Sequence, residues 1–200
     1  MPPEHRRASG PLYLSNMPGH ILTVGHRHAS GRPGEFEATK GDTMSDYGYL
    51  EIQGSERSEA LEAIRRQIAE WGLTMPNVEP VPLHFGLGRF REIGETEFWV
   101  ANERGHGYCG KFLFLFDGQT CPHHHHQVKH ETFFMVRGSV SMNVAGQARV
   151  LNQGDVLAMP PGTSHSFTGV GPALVLEVST PTLLQDNFFE DPDIGHEGVI

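Results

Sequence analysis

The spacing of apolar residues changes character once along the chain, near residue 83. Before that point Leu61, Ile64, Ile68 and Trp71 recur at the spacing of one helical face, which predicts a single helix over 55–71. Ser55 or Ser58 would cap it, Glu56 and Glu59 suit the positive end of its dipole, and Gly72 ends it. Pro76, Pro80 and Pro82 then mark an extended connector. Beyond residue 83 short apolar runs alternate with glycine turns. They predict strands at 84–90, 96–102, 110–116, 121–126, 131–137, 139–144, 147–151, 156–159, 165–168 and 173–179. Phe112, Phe114 and Phe116 alternate with Lys111, Leu113 and Leu115, so one set should fill a barrel while the other faces the helix or a second subunit. No βαβ alternation is present, which excludes a Rossmann nucleotide-binding fold. The expectation is an all-β barrel or sandwich with one N-terminal helix. Residues 1–54, rich in Gly and Pro with short apolar pieces at 12–14, 21–24 and 47–52, read as an irregular arm that packs on the barrel or on a partner. The chain thus divides into an arm (1–54), helix and connector (55–82), barrel (83–192) and tail (193–200).

Charge narrows the partners. The 24 acidic against 15 basic side chains give a net charge of −9, which argues against nucleic acid or an anionic membrane. No apolar run has the length of a membrane span or a signal-peptide core, so a cytoplasmic protein is expected. Cys109 and Cys121 fit neither a disulfide framework nor a zinc ribbon and read as buried thiols. Cys121 lies out of parity with His124 and His126, which argues against a role as ligand. The His26-Arg27-His28 pair has no acidic partner downstream and reads as a polar loop.

The chemistry gathers in two stretches. In the first, Gly118 to Gly138 follows G-x5-H-x-H-x4-E-x6-G, with His124, His126 and Glu131 at the named positions. In the second, Gly154 to His165 follows G-x5-P-x-G-x2-H. Residues two apart on a strand share a face, so His124 and His126 would project into one cavity while His125 points away. A turn would return Glu131 on the next strand, with Lys129, Phe133 and Met135 on its face, and the Pro160-Pro161-Gly162 turn would deliver His165. Three imidazoles and a carboxylate suit Mn, Fe, Ni, Co or Zn rather than Ca or Mg. Both strings resemble the two motifs of the cupin superfamily, which implies a jelly-roll (double-stranded β-helix) barrel with a divalent metal on His124, His126, Glu131 and His165.

A narrower resemblance covers about 83–192. Tyr108-Cys109-Gly110-Lys111, the run from Leu113 to Pro122, Lys129-His130-Glu131-Thr132-Phe133, Glu177-Val178-Ser179-Thr180 and Asp186-Asn187-Phe188-Phe189 are similar to the D-lyxose ketol-isomerase family. The connections between the ligands are shorter here than in some members, and the ending also resembles that of small cupins appended to nonulosonate synthases. The isomerase resemblance implies interconversion of a free aldose such as D-lyxose or D-mannose with its ketose through an enediolate, with Mn²⁺ the first choice of metal. Lys129 and Glu177 are then the candidates to carry the proton between C2 and C1, since Glu177 stands in an otherwise apolar strand. Lys111 and Phe133 are candidate substrate-binding residues. From Tyr108 to Ile200 the only cationic side chains are Lys111, Lys129, Arg137 and Arg149, too few to gather around a phosphate, so an uncharged monosaccharide is favoured. Alternatives are a sugar- or metal-sensing cupin without catalysis and an iron-dependent dioxygenase on the same ligands. Apolar residues on both faces of 111–116, together with the isomerase resemblance, imply a homodimer.

Overall fold

A computed structural model describes residues 48–200. The arm up to residue 47, with the His26–His28 pair, lies outside the described residues. Helix α1 spans Gly54–Glu70. Its N-cap is Gln53 without a side-chain cap, and Ser58 lies inside the first turns, where its Oγ donates back to the Gly54 carbonyl at 3.2 Å. At the other end Gly72 takes φ +66°, and the Leu73 N–H reaches the Ile68 carbonyl at 3.1 Å to close the helix. Among the described residues no helix is long and apolar enough to cross a membrane.

Nine strands follow: β1 Val81–Leu83, β2 Glu95–Glu103, β3 Tyr108–Leu115, β4 Thr120–His125, β5 Glu131–Val144, β6 Gln147–Asn152, β7 Val156–Met159, β8 His165–Ser179 and β9 Phe188–Phe189. They form one curled antiparallel sheet in the order β1-β2-β3-β8-β4-β9, while β5 pairs with β8, β6 and β7. Leu113, Leu115, Phe133, Met135, Met142 and Phe167 fill the inside of the curl. Phe98, Phe114 and Leu174 turn outward and pack under Leu61, Ile64 and Ile68 of α1. The alternation on β3 is thereby resolved: its leucines enter the barrel and its phenylalanines meet the helix.

The structure departs from the expected strands in two ways. Residues 84–90 form turns, because Phe85, Gly86 and Gly88 all take positive φ. Their apolar alternation serves packing in a loop. The segments 131–137 and 139–144 are one strand, as are 165–168 and 173–179, because bulges keep them paired with each other across their glycines. Gly138 sits at such a bulge with φ +72°, where a Cβ would lie 2.2 Å from the Pro172 carbonyl oxygen. Only glycine fits there. The bulge holds β5 against β8 through most of their length, and that pairing brings Glu131, Phe133 and Glu177 to one cavity.

Candidate active site

The antiparallel register of β4 and β8 sets His124 opposite His165, with ring centroids 4.3 Å apart. His126 follows directly after β4, and the ligand atoms of the three imidazoles lie within 4.8 Å of one another. Each ring is fixed from behind. Nδ1 of His124 donates to the Pro122 carbonyl at 2.8 Å, Nδ1 of His126 to the Asp186 carbonyl at 2.7 Å, and Nδ1 of His165 to the Thr163 carbonyl at 3.0 Å. A carbonyl can only accept, so the proton sits on each Nδ1 and the Nε2 lone pairs are left for the centre. Burial and the two neighbouring imidazoles push the His124 pKa well below its ordinary value, which keeps the ring neutral.

Glu131 opens β5 and faces the cluster, with its oxygens 3.3 Å from Nε2 of His126 and of His165. His126 Nε2, His165 Nε2 and Glu131 Oε2 are all buried without a hydrogen-bond partner. Three orphaned ligand atoms converging in a buried site are costly unless something bridges them. The donor set therefore fits a divalent transition metal, with three nitrogens and a carboxylate oxygen available to hold it. Burial works to raise the Glu131 pKa, but the Lys129 ammonium outweighs it and holds the carboxyl well below the usual range.

Beside the imidazoles runs a buried ladder of charges. Lys129 Nζ bonds Glu131 Oε1 at 2.7 Å and Glu177 Oε1 at 2.6 Å. Lys111 bonds Glu97 and lies 3.4 Å from the other oxygen of Glu177, which is its direct cross-strand neighbour on β8. Ser179 Oγ adds a hydrogen bond to Glu177 at 2.9 Å. Burial opposes the charge on Glu177 and on both lysines. For Glu177 the ammonium groups of Lys111 and Lys129 prevail and lower its pKa, while for the two lysines the surrounding carboxylates prevail and raise theirs. Glu177 is thus an ionised carboxylate held between two ammonium groups, all of them nearly inaccessible to solvent.

The four residues with expected ligand roles, together with Lys111, Lys129, Phe133 and Glu177, come to one region of the barrel. Phe133 is buried 5.8 Å from His165 and 5.7 Å from Phe167, and forms apolar wall. The other histidines of the run stand apart: His125 stacks on Phe188 at 5.2 Å, and His123 lies 3.5 Å from Glu190. The parity argument fails for Cys121. An irregularity in β4 between Cys121 and His124 turns the thiol into the same cavity, which Glu95 also lines.

Three further residues carry weight in the site. Glu95 and Glu97 enter the cavity wall from β2. Their signal was two carboxylates at alternate positions just before the apolar run Phe98 to Ala101. Asp186 is buried below the turn that joins His126 to Glu131. Its Oδ1 accepts the Gln127 N–H at 2.8 Å, its Oδ2 the Lys129 N–H at 2.9 Å, and both oxygens the Val128 N–H. One residue thus fixes the His126 ring with its backbone and the ligand turn with its side chain.

Comparison with known proteins agrees with this geometry. Residues 114–179 match the Cupin domain family. The chain is 31% identical to a D-lyxose ketol-isomerase of Cohnella laeviribosi over 182 residues, covering 74% of this chain and 98% of that protein. It is 32% identical to a D-lyxose/D-mannose isomerase of Thermosediminibacter oceani over 139 residues, which is 55% of this chain and 75% of the relative. Among solved structures, an L-ribose isomerase of Cellulomonas parahominis shares the fold at a TM-score of 0.59 and 18% identity, with 75% of this chain and 98% of that one aligned. The chain therefore belongs to the D-lyxose ketol-isomerase family, sugar isomerases built on the cupin barrel.

Proposed function

We propose that the protein interconverts a free aldose, D-lyxose or D-mannose, with the corresponding ketose, using a divalent metal held by His124, His126, Glu131 and His165. The observation that carries this reading is Glu177, an ionised carboxylate clamped between Lys111 and Lys129 in the cavity that His124, His126 and Glu131 line. When bound, a metal at the imidazoles would polarise the sugar oxygens at C1 and C2 and make the C2 proton acidic. Glu177 takes the proton from C2 as the C1 carbonyl becomes an enediolate, then returns it to C1 as the C2 carbonyl forms, while the hydroxyl proton passes from O2 to O1. Lys129 and Lys111 stay protonated and offset the negative charge that passes through the enediolate. Lys129 can also donate to a sugar oxygen, and Phe133 closes the apolar side against water.

The absence of a phosphate is supported by the charge balance of the wall. Among the described residues no arginine lines the cavity, and both of its lysines are already matched by Glu97, Glu131 and Glu177. The names of the relatives give D-lyxose and D-mannose as the first sugars to try. Mn²⁺ is our first choice of metal, and the cytoplasm our compartment. A homodimer is part of the same reading. Phe134, Val156 and Val178 are exposed around the β7-β5-β8 edge of the sheet, where α1 does not reach. The test is a panel of free and phosphorylated aldoses given to protein loaded with each first-row metal in turn. Ketose is expected from a free aldose with the lyxose arrangement at C2 and C3. No turnover of any sugar with any metal would overturn the reading.

A further inference from the structure

Pentoses and hexoses in water are almost wholly closed hemiacetals, in which C1 has no carbonyl and the C2 proton is not acidic. Moving a proton between C2 and C1 therefore requires that the ring be opened first. Opening needs its own acid and base: one group takes the proton of the anomeric hydroxyl, and another supplies a proton to the ring oxygen. The groups already described are committed elsewhere. Glu177 faces the C1–C2 proton, the imidazoles keep their lone pairs for a metal, and Lys111 and Lys129 are bound up with carboxylates.

Two carboxyl groups in the cavity remain. Glu95 and Glu97 stand two apart at the start of β2, both nearly inaccessible to solvent. Their hydrogen-bond partners differ. Glu97 accepts from the Lys111 ammonium with one oxygen and from the Trp99 indole N–H with the other, at 2.9 Å; neither donor can accept in return, so both oxygens act as acceptors. Among the described residues no ammonium bonds Glu95, and its Oε2 is buried with no hydrogen-bond partner. Burial, reinforced by the charge of Glu97, pushes the Glu95 pKa up to about 8, so this carboxyl keeps its proton. A protonated and an ionised carboxyl side by side are an acid and a base separated by environment.

We infer that Glu95 and Glu97 are the acid and base that open the sugar ring, which gives the protein a second activity, exchange of the anomers of its aldose. Glu97 takes the proton from O1 as the C1–O1 bond becomes double, the C1–O5 bond breaks, and Glu95 gives its proton to O5. Rotation about C1–C2 and the reverse transfers close the other anomer and restore both carboxyls, so no outside reactant is consumed. The inference rests on the isomerase reading and extends it to the step before proton transfer.

Two reactions on the same metal-loaded samples separate the steps. Anomer exchange of D-lyxose is followed by NMR magnetisation transfer, and deuterium uptake from D₂O at C1 is followed in erythrulose, a ketose too short to close a ring. The wild type should accelerate both. Glu95→Gln, an isosteric change that stays neutral, should lower anomer exchange roughly tenfold or more beyond any loss in erythrulose labelling. Glu177→Gln should reverse that ratio. An equal loss of both reactions in Glu95→Gln, or a loss in neither, overturns the inference. So does a wild type that labels erythrulose but leaves anomer exchange at the buffer rate; the isomerase reading would then stand alone. A protein that labels no sugar overturns both.

Discussion

Replacing Asp186 with alanine removes one side chain that no substrate touches, and should weaken both the fold and the metal centre. The carboxylate accepts three backbone N–H groups, of Gln127, Val128 and Lys129. Leaving a buried N–H without an acceptor costs about 1–3 kcal/mol, and less where water can replace it. Gln127 and Val128 are exposed residues, so roughly 1 kcal/mol each is reasonable, while Lys129 is buried and merits about 2. The sum is about 4 kcal/mol, which for a domain of this size lowers the melting temperature by roughly 10 °C. The same turn sets the distance between His126 and Glu131, so metal affinity should fall by about 10–100-fold, as for other groups that orient ligands from behind. Denaturant titration of metal-free protein gives the first quantity, and competition with a chromophoric chelator gives the second. Asp186→Asn, which keeps one acceptor oxygen, should fall between. If Asp186→Ala stays within about 1 kcal/mol of the wild type and binds metal equally well, the turn is held by something other than this carboxylate.

Other outcomes follow from the same geometry. Glu177→Gln should cut isomerisation by about 10²–10⁴-fold, measured as ketose formed per mole of bound metal. Because the folded Glu177 pKa is lowered, its ionised form contributes stability that is present above the ordinary glutamate pKa and is lost as pH falls below it, which acid titration of wild type against Glu177→Gln would show. Glu95 has the opposite sign: its folded pKa of about 8 lies above the ordinary glutamate value of 4.5, so its burial lowers stability progressively as pH rises between those two values. Glu95→Gln should therefore gain on the wild type by about 1.4 kcal/mol per pH unit across that window, read from urea titrations at each pH. Phe134→Glu with Val178→Asp, both at exposed positions, should convert a dimer to a folded monomer by light scattering.

How far the sequence could be read depended on the distance over which each feature is decided. The four expected ligand positions were legible because strand parity and a short turn place three of them within eight residues, and a proline-glycine turn places the fourth. The facing of Lys129, Glu131, Phe133 and Met135 followed from the same parity, and all four are buried. Parity failed where the backbone is irregular: the bulged part of β4 turns Cys121 into the cavity, and the bulge at Gly138 joins two expected strands into one. Asp186 could not be found by local pattern, since the turn it supports lies 57 to 59 residues earlier. Glu95 and Glu97 gain their meaning only from Lys111, Trp99 and Cys121, which other strands and a bend in their own bring beside them. The apolar alternation of 84–90 was real, but positive φ at Phe85, Gly86 and Gly88 made it a loop.

The central claim is that isomerisation depends on a metal held by the imidazole cluster rather than on the histidine run as a whole. Bound metal and D-lyxose turnover, measured together on wild type, His126→Ala and His125→Ala, test it most directly. His125 stacks outside on Phe188, whereas Nε2 of His126 points into the cluster unpartnered. His125→Ala should keep nearly full metal content and turnover, and His126→Ala should lose most of both. Equal metal content and equal turnover in the two variants would contradict the account.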